Sequence, residues 1–193
     1  MSNKLTYDIT SLNVRGLRDQ SKRRSIFSCL KDQNSKLYFL QETYSEVNDE
    51  IIWRNEWGGK IFFSHGSKHS KGVCILINPL VQDKIDYCFS DKSERIVLIT
   101  IVINSLMLSL CNIYAPNNQA EQLEFLQELN NCPIDKSELT TLIVHVGGDW
   151  NCTLSKNDKI GGKPWKATNY RNLVLITMDI LDLVDIQRER HPK

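Results

Sequence analysis

Three short polar clusters each follow an apolar run: Asn13-Val14-Arg15-Gly16, Gln41-Glu42-Thr43 and Gly147-Gly148-Asp149-Trp150-Asn151. A fourth, Asn112-Ile113-Tyr114-Ala115-Pro116-Asn117-Asn118, completes the set. The chemistry on offer is that of carboxylates and carboxamides, with one phenol. Strand ends that deliver such groups to one edge of a sheet build a site on rigid supports. Taken singly, each cluster reads as structure: Asx residues make turns, and Glu42 is a solvated strand end.

Other chemistries find little support. The six cysteines, Cys29, Cys74, Cys88, Cys111, Cys132 and Cys152, form no CxxC pair and the four histidines do not cluster, so neither a zinc site nor a disulfide framework is indicated. Four of the cysteines sit in apolar runs and read as small core residues of a reducing compartment. Lys and Arg number 24 against 23 Asp and Glu, a net charge of +1, which argues against polyanion binding by bulk charge. Any phosphate contact must be local. Met1-Ser2-Asn3-Lys4 opens no apolar leader, and the apolar stretches are too short to span a membrane. An intracellular soluble chain is expected.

The elements that must position the clusters are legible from periodicity. Strands are predicted over Leu5 to Asn13, Leu37 to Leu40, Lys60 to His65, Gly72 to Asn78, Lys84 to Phe89, Arg95 to Ile103, Met107 to Tyr114 and Thr140 to Val146. The continuous apolar run Leu37-Tyr38-Phe39-Leu40 suits a strand covered on both faces. Asn104-Ser105 sits where a tight turn would join two strands as a hairpin. Helices are predicted over Ser21 to Lys31, Glu46 to Trp57, Gln119 to Asn130, with an apolar stripe of Leu123, Leu126 and Leu129 widened by Phe125, and Tyr170 to Asp182. Helices between strands around a central meander imply a layered α/β sandwich of two mixed β-sheets flanked by helices, and 193 residues form a single domain over 1–193.

In this order, Asn13-x-Arg15-Gly16, Leu40-Gln41-Glu42-Thr43, Asn112-Ile113-Tyr114-Ala115-Pro116-Asn117 and Gly148-Asp149-Trp150-Asn151 resemble the successive motifs of the endonuclease/exonuclease/phosphatase superfamily. Within it the chain is most similar to the apurinic-type endonuclease domain of LINE retrotransposons, through Gly147 to Cys152 with Asp158 following, and through Leu181-Asp182-Leu183-Val184-Asp185-Ile186-x-Arg188-x-x-His191-Pro192. The resemblance implies Mg²⁺-dependent hydrolysis of phosphodiesters in double-stranded DNA, with Mn²⁺ as a substitute, in the nucleus, by a domain normally fused to a reverse transcriptase. It makes Glu42 the metal ligand with Asn13 beside it. Asp149 would orient or deprotonate the attacking water, Asn151 would hold a phosphate oxygen, and the Tyr114 hydroxyl would donate to the phosphate. Arg15 and Asn118 are candidates for the DNA backbone. The residue types suit that chemistry. Mg²⁺ keeps most of its waters and takes one or two carboxylates, and a phosphodiester needs its charge neutralised before water can attack. An apurinic/apyrimidinic or exonuclease III-like repair nuclease shares all four motifs.

Two departures stand out. Trp150 takes a position where the family has Phe or Leu, and its side chain should point into the core. The family's later Ser-x-Ile-Asp and Ser-Asp-His segments do not occur, so the domain reads as incomplete at its C-terminus, with its last strands missing and an open sheet edge. His65 and His69 flank a turn, His191 lies near the chain end, and His145 reads as a core histidine in an apolar strand. The resemblance gives the histidine of the Ser-Asp-His segment an acid/base or phosphate-stabilising role whose loss costs roughly 10²–10⁴-fold in rate, so negligible activity is expected of these residues, and a non-catalytic remnant is the alternative from a different class. The run Lys22-Arg23-Arg24 reads as a solvated helix start.

Overall fold

A computed structural model describes residues 8–81, 84–103, 106–133, 142–159, 161 and 164–191. They fall into two compact units. The first comprises Met1–Tyr114 with Ile134–Asp149, and the second Ala115–Pro133 with Trp150–Lys193.

The first unit holds eight strands: β1 (Ile9–Asn13), β2 (Leu37–Gln41), β3 (Ile61–Ser64), β4 (Val73–Ile77), β5 (Lys84–Ser90), β6 (Ile96–Ile103), β7 (Leu106–Tyr114) and β8 (Leu142–Asp149). They make two four-stranded sheets, in the orders β1-β2-β4-β3 and β5-β6-β7-β8. Both sheets are mixed. β1 lies parallel to β2, and β7 parallel to β8, while the remaining pairs are antiparallel. The fold is the α/β sandwich that the sequence implies. The predicted turn Asn104-Ser105 lies outside the described residues, but the strands on either side of it pair antiparallel, Ile103 opposite Leu106.

Period-two alternation builds two cores from the same strands. Leu37 and Phe39 of β2 and Val73, Ile75 and Ile77 of β4 face Val97, Ile99, Ile101, Leu108 and Leu110 between the sheets. Tyr38, Leu40, Cys74 and Leu76 point the other way, into a cluster with Phe27, Leu30, Trp53 and Trp57. These last four belong to helices α1 (Gln20–Gln33) and α2 (Glu50–Trp57). β2 is therefore buried at every position, which is why it is apolar without alternation. Where polar atoms enter this core they are paired: the Tyr38 hydroxyl donates to the Leu30 carbonyl (2.6 Å) and Trp57 Nε1 to the Ile77 carbonyl (2.7 Å).

Arg23 departs from the solvated helix start expected of Lys22-Arg23-Arg24. It is buried at 4% exposure. Its guanidinium grips Glu56 through Nε (2.6 Å) and Nη2 (3.3 Å) and donates to the Leu17 carbonyl (2.9 Å). The hydrogen bond from Arg23, against the opposing effect of burial and with help from Gln20 and Arg24, holds the Glu56 carboxyl down to about 2. A carboxyl depressed in the folded state contributes stability that is complete above its unfolded value and is lost as pH falls through its folded value. The melting temperature is thus expected to drop between pH 4.5 and about 2. Glu56→Gln should melt lower at neutral pH and lose less over that acid interval, and thermal melts at both pH values check this.

Three predicted burials are corrected. Thr140 to Val146 was expected to be a buried strand with His145 in the core; β8 runs on through Asp149, is half-buried at Val144 and Val146, and leaves His145 exposed. β8 has a single hydrogen-bonded neighbour among the described residues, as has β1, so neither edge is covered by a further strand there. The second correction lies in the second unit, where helices α3 (Gln119–Asn130) and α4 (Asn169–Ile180) contact each other. α3 buries Gln122, Phe125, Leu126 and Leu129, leaving Leu123 at 52% exposure, because the 3.6-residue period rotates the stripe past it. Trp150 is half-buried, not in the core. A short α5 (Ile186–Arg190) follows, capped by Asp185. No helix among the described residues is long and apolar enough to cross a membrane.

Candidate active site

Parallel pairing places like ends together. Asn13 and Gln41 are register partners at the carboxyl ends of β1 and β2, and Tyr114 and Asp149 are partners at the carboxyl ends of β7 and β8. β1 and β8 also contact each other, so both strand-end pairs, one from each sheet, meet. Side chains at these four ends and in the loop after β2 form one polar cluster.

Asn13 is its hinge. Nδ2 donates to Glu42 Oε1 (2.8 Å) and to Asp149 Oδ2 (3.0 Å), so one neutral amide holds a carboxylate from each sheet. The two oxygens are therefore closer than twice a hydrogen-bond length. Asn13 Oδ1 meanwhile accepts from the Arg15 amide (3.2 Å), which fixes the amide's orientation. The second oxygen of Glu42 accepts from the Tyr44 hydroxyl (3.0 Å). Burial acts to raise the Glu42 carboxyl, but hydrogen bonds from Asn13, Tyr114 and Tyr44 and the Arg15 charge outweigh it and leave Glu42 below the usual carboxylate range. Burial, followed by the Glu42 hydrogen bond and charge, pushes the Tyr114 hydroxyl up to about 12. The guanidinium of Arg95 lies over the Tyr114 ring at 5.3 Å.

Behind the cluster a buried amide clasp ties the sheets together. Gln41 Nε2 donates to Asn112 Oδ1 (2.7 Å), and Asn112 Nδ2 donates to the carbonyls of Leu40 (2.9 Å) and Cys74 (2.8 Å). Asn112 is fully buried and Gln41 nearly so, at 1% exposure. Each immediately precedes, or lies two residues before, a residue of the cluster: Glu42 and Tyr114. The clasp sets the spacing of the sheets where the cluster needs it. Gly148 serves the same junction. At φ 126°, a Cβ there would lie 2.1 Å from the Ile113 carbonyl oxygen and 2.9 Å from Asn112 Oδ1, so only glycine lets β8 approach β7 closely enough to present Asp149.

The backbone beside the cluster is held in unfavourable conformations. Arg15 (φ 49°), Glu42 (φ 54°) and Tyr44 (φ 56°) are left-handed without being glycine, at a cost of roughly 1–2 kcal/mol each. Cross-loop hydrogen bonds hold them there: Val14 to Gln41 (2.9 Å), Gly16 to Glu42 (2.6 Å) and Leu17 to Thr43 (2.9 Å), amide to carbonyl. Such strain gathers where a fixed geometry is needed.

Asn13, Glu42, Tyr114 and Asp149 are thus brought together, as the four motifs imply. Arg15 is exposed at the rim of the first unit and reaches Glu42 through its charge. Asn151 and Asn118 belong to the second unit. Asn151 has φ 45° and donates to the Ala115 carbonyl (2.6 Å). Asn118 caps α3, accepting from the Ala120 amide (3.1 Å). His65 is bound by Glu50 (2.9 Å) and Ser45 (3.2 Å), and His69 lies in an exposed turn. Sequence reasoning missed Tyr44 and the Gln41–Asn112 clasp. The signal for the tyrosine was its spacing, two residues beyond Glu42; the clasp has no local signal, since its partners are far apart in the chain. Among the described residues no group of three or more His, Cys, Asp or Glu side chains is placed to hold a metal ion.

No family model matches the chain. It is 29% identical over 191 residues to the 149 kDa protein of transposon TX1 from Xenopus laevis, a match that covers 98% of this chain and 14% of that protein. The chain thus spans about a seventh of its transposon relative. Among solved structures, an AP endonuclease from Leishmania major superposes with a TM-score of 0.75 at 17% identity, covering 96% of this chain and 70% of the other. An AP endonuclease from Archaeoglobus fulgidus gives a TM-score of 0.71 at 21% identity, covering 97% and 76%. The two mixed sheets and these superpositions show that the chain has the fold seen in these AP endonucleases.

Proposed function

We propose that the chain is a divalent-metal-dependent DNA endonuclease domain of a LINE-type element, acting on phosphodiesters of double-stranded DNA. The observation that carries this reading is the pair of carboxylates, Glu42 and Asp149, gathered from two sheets onto the single amide of Asn13. Asn13 is neutral, so it orients the two acids without balancing their charge. The donor set is all oxygen, which suits Mg²⁺ or Mn²⁺ better than a softer metal. Glu42 would hold the ion, with Asn13 beside it and Asp149 across the cluster. When bound, the cation supplies charge neutralisation at the phosphate. The chain's own residues do the rest. Asp149 orients water and takes its proton. Tyr114, a phenol and so protonated at neutral pH, offers its proton to a phosphate oxygen. Arg15 contacts the DNA backbone; in the second unit, Asn151 and Asn118 are the residues offered to phosphate oxygens.

The transposon relative favours the retroelement reading over a repair nuclease, since that match spans nearly the whole chain at higher identity than the AP endonucleases. Turnover is expected to be slow. His65 is committed to Glu50 and Ser45, and His145 stands four residues from Asp149, roughly 13 Å along a strand. Water activation in the cluster is assigned to Asp149. The test is conversion of supercoiled plasmid to the nicked circle with protein in excess, in Mg²⁺ and in EDTA. Slow nicking in Mg²⁺ alone is expected. Equal conversion in both would reject the metal-dependent reading, and none in either would leave the non-catalytic remnant.

A further inference from the structure

We propose that Tyr44 is a positioning residue for the Glu42 carboxylate, locked in place by Gly16, and that the cation is held tightly only while this lock is intact. The proposal rests on the reading of Glu42 as the cation ligand.

The lock is built from both directions. Each oxygen of Glu42 has its own donor, Asn13 Nδ2 on Oε1 (2.8 Å) and the Tyr44 hydroxyl on Oε2 (3.0 Å). Two donors at opposite oxygens fix the plane of the carboxylate, and the Tyr114 hydroxyl adds a third hydrogen bond. Asn13 is fixed by the strand that carries it. Tyr44 lies in a loop, and its hydroxyl is only as well placed as its ring. That ring rests on Gly16: a Cβ at this position would be 2.7 Å from Tyr44 Cδ2 and 3.0 Å from Cε2. Gly16 adopts φ 85°, and its amide donates to the Glu42 carbonyl (2.6 Å). One glycine therefore holds the backbone of Glu42 directly and its side chain through the tyrosine. The far side of the loop is pinned to the β3–β4 connection, with the Thr43 amide on the Gly72 carbonyl (2.9 Å) and the Tyr44 amide on the Lys71 carbonyl (3.1 Å). Glu42 and Tyr44 are both left-handed and flank Thr43. A pair of strained residues held by Asn13, Gly16 and Lys71 is an arrangement for placing one carboxylate.

Tyr44→Phe removes the hydroxyl and keeps the ring on Gly16. Gly16→Ala keeps the hydroxyl and pushes the ring away. Groups that orient a metal ligand from behind typically carry 10–100-fold in metal affinity. Mn²⁺ titration by calorimetry, with melting temperatures recorded in EDTA, is the test. Tyr44→Phe is expected to raise the Mn²⁺ dissociation constant roughly 10-fold with an unchanged melting temperature. Gly16→Ala should weaken Mn²⁺ binding while also lowering the melting temperature. The double variant should bind no more weakly than Gly16→Ala alone, because both changes break the same bond. Wild-type affinity in Tyr44→Phe, when Glu42→Gln has lost the ion, would overturn the lock and leave the ligand reading standing. Additive losses in the double variant would also overturn it. If Glu42→Gln binds Mn²⁺ as the wild type does, the ligand reading itself fails and the lock with it.

Discussion

Glu42→Gln is expected to reduce Mg²⁺-dependent plasmid nicking to the level seen in EDTA, and Asp149→Asn to lower it by roughly 10²–10⁴-fold, the usual contribution of a positioned acid or base. Both substitutions are nearly isosteric. Each leaves an oxygen to accept from Asn13, so the cluster's hydrogen bonds at 2.8 Å and 3.0 Å need not be lost with the charge. What goes is the negative charge that a hard cation requires, or the basicity that water activation requires. Because the two acids share one amide, they act as a unit and their effects should not add: the double variant should be no slower than Glu42→Gln. Single-turnover rates, with melting temperatures confirming the fold, check this. Nicking that survives in Glu42→Gln would place the metal elsewhere.

Asn112→Leu should be the most destabilising single change outside the apolar core. The side chain is fully buried and serves three partners: the Gln41 amide and the carbonyls of Leu40 and Cys74. Leucine is close in volume, so the loss is one of pairing, not of packing. Leaving buried polar groups unpaired costs about 1–3 kcal/mol each. Allowing for partial repair by the carbonyls' other partners, a loss of about 3 kcal/mol is expected, on the order of 10 °C in melting temperature. Chemical denaturation of the variant against the wild type measures it. A change below about 1 kcal/mol would mean that the clasp does not hold the sheets together.

The contrast between what the residues foretold and what they concealed follows from distance along the chain. Strand positions were legible because β-branched runs with period-two burial are local, and Leu37 to Leu40 announced a two-faced strand by lacking alternation. The four cluster residues were legible only as a set, through their order, since Asn13 and Asp149 meet across 136 residues. Sheet order was not: nothing in β1 or β8 states that each will lie parallel to its neighbour. Arg23 read as one cation in a basic run, because its partner Glu56 comes from another helix. His145 sits among valines yet is exposed, because alternation alone does not reveal whether a strand's second face is covered. Leu123 was misassigned by counting threes where the helix counts 3.6. Tyr44 was concealed by the left-handed turns around Thr43, which return its hydroxyl to the carboxylate two residues earlier.

The Asn13–Glu42–Asp149 cluster is proposed to hold a divalent cation. Anomalous diffraction from crystals of the 193-residue chain soaked in Mn²⁺ locates that cation. The expected result is a Mn²⁺ peak at about 2.1 Å from a Glu42 carboxylate oxygen, on the side facing Asp149, and absent from crystals of Glu42→Gln. Ordered Glu42 and Asp149 side chains with no peak between them, or a peak that persists in Glu42→Gln, would contradict it.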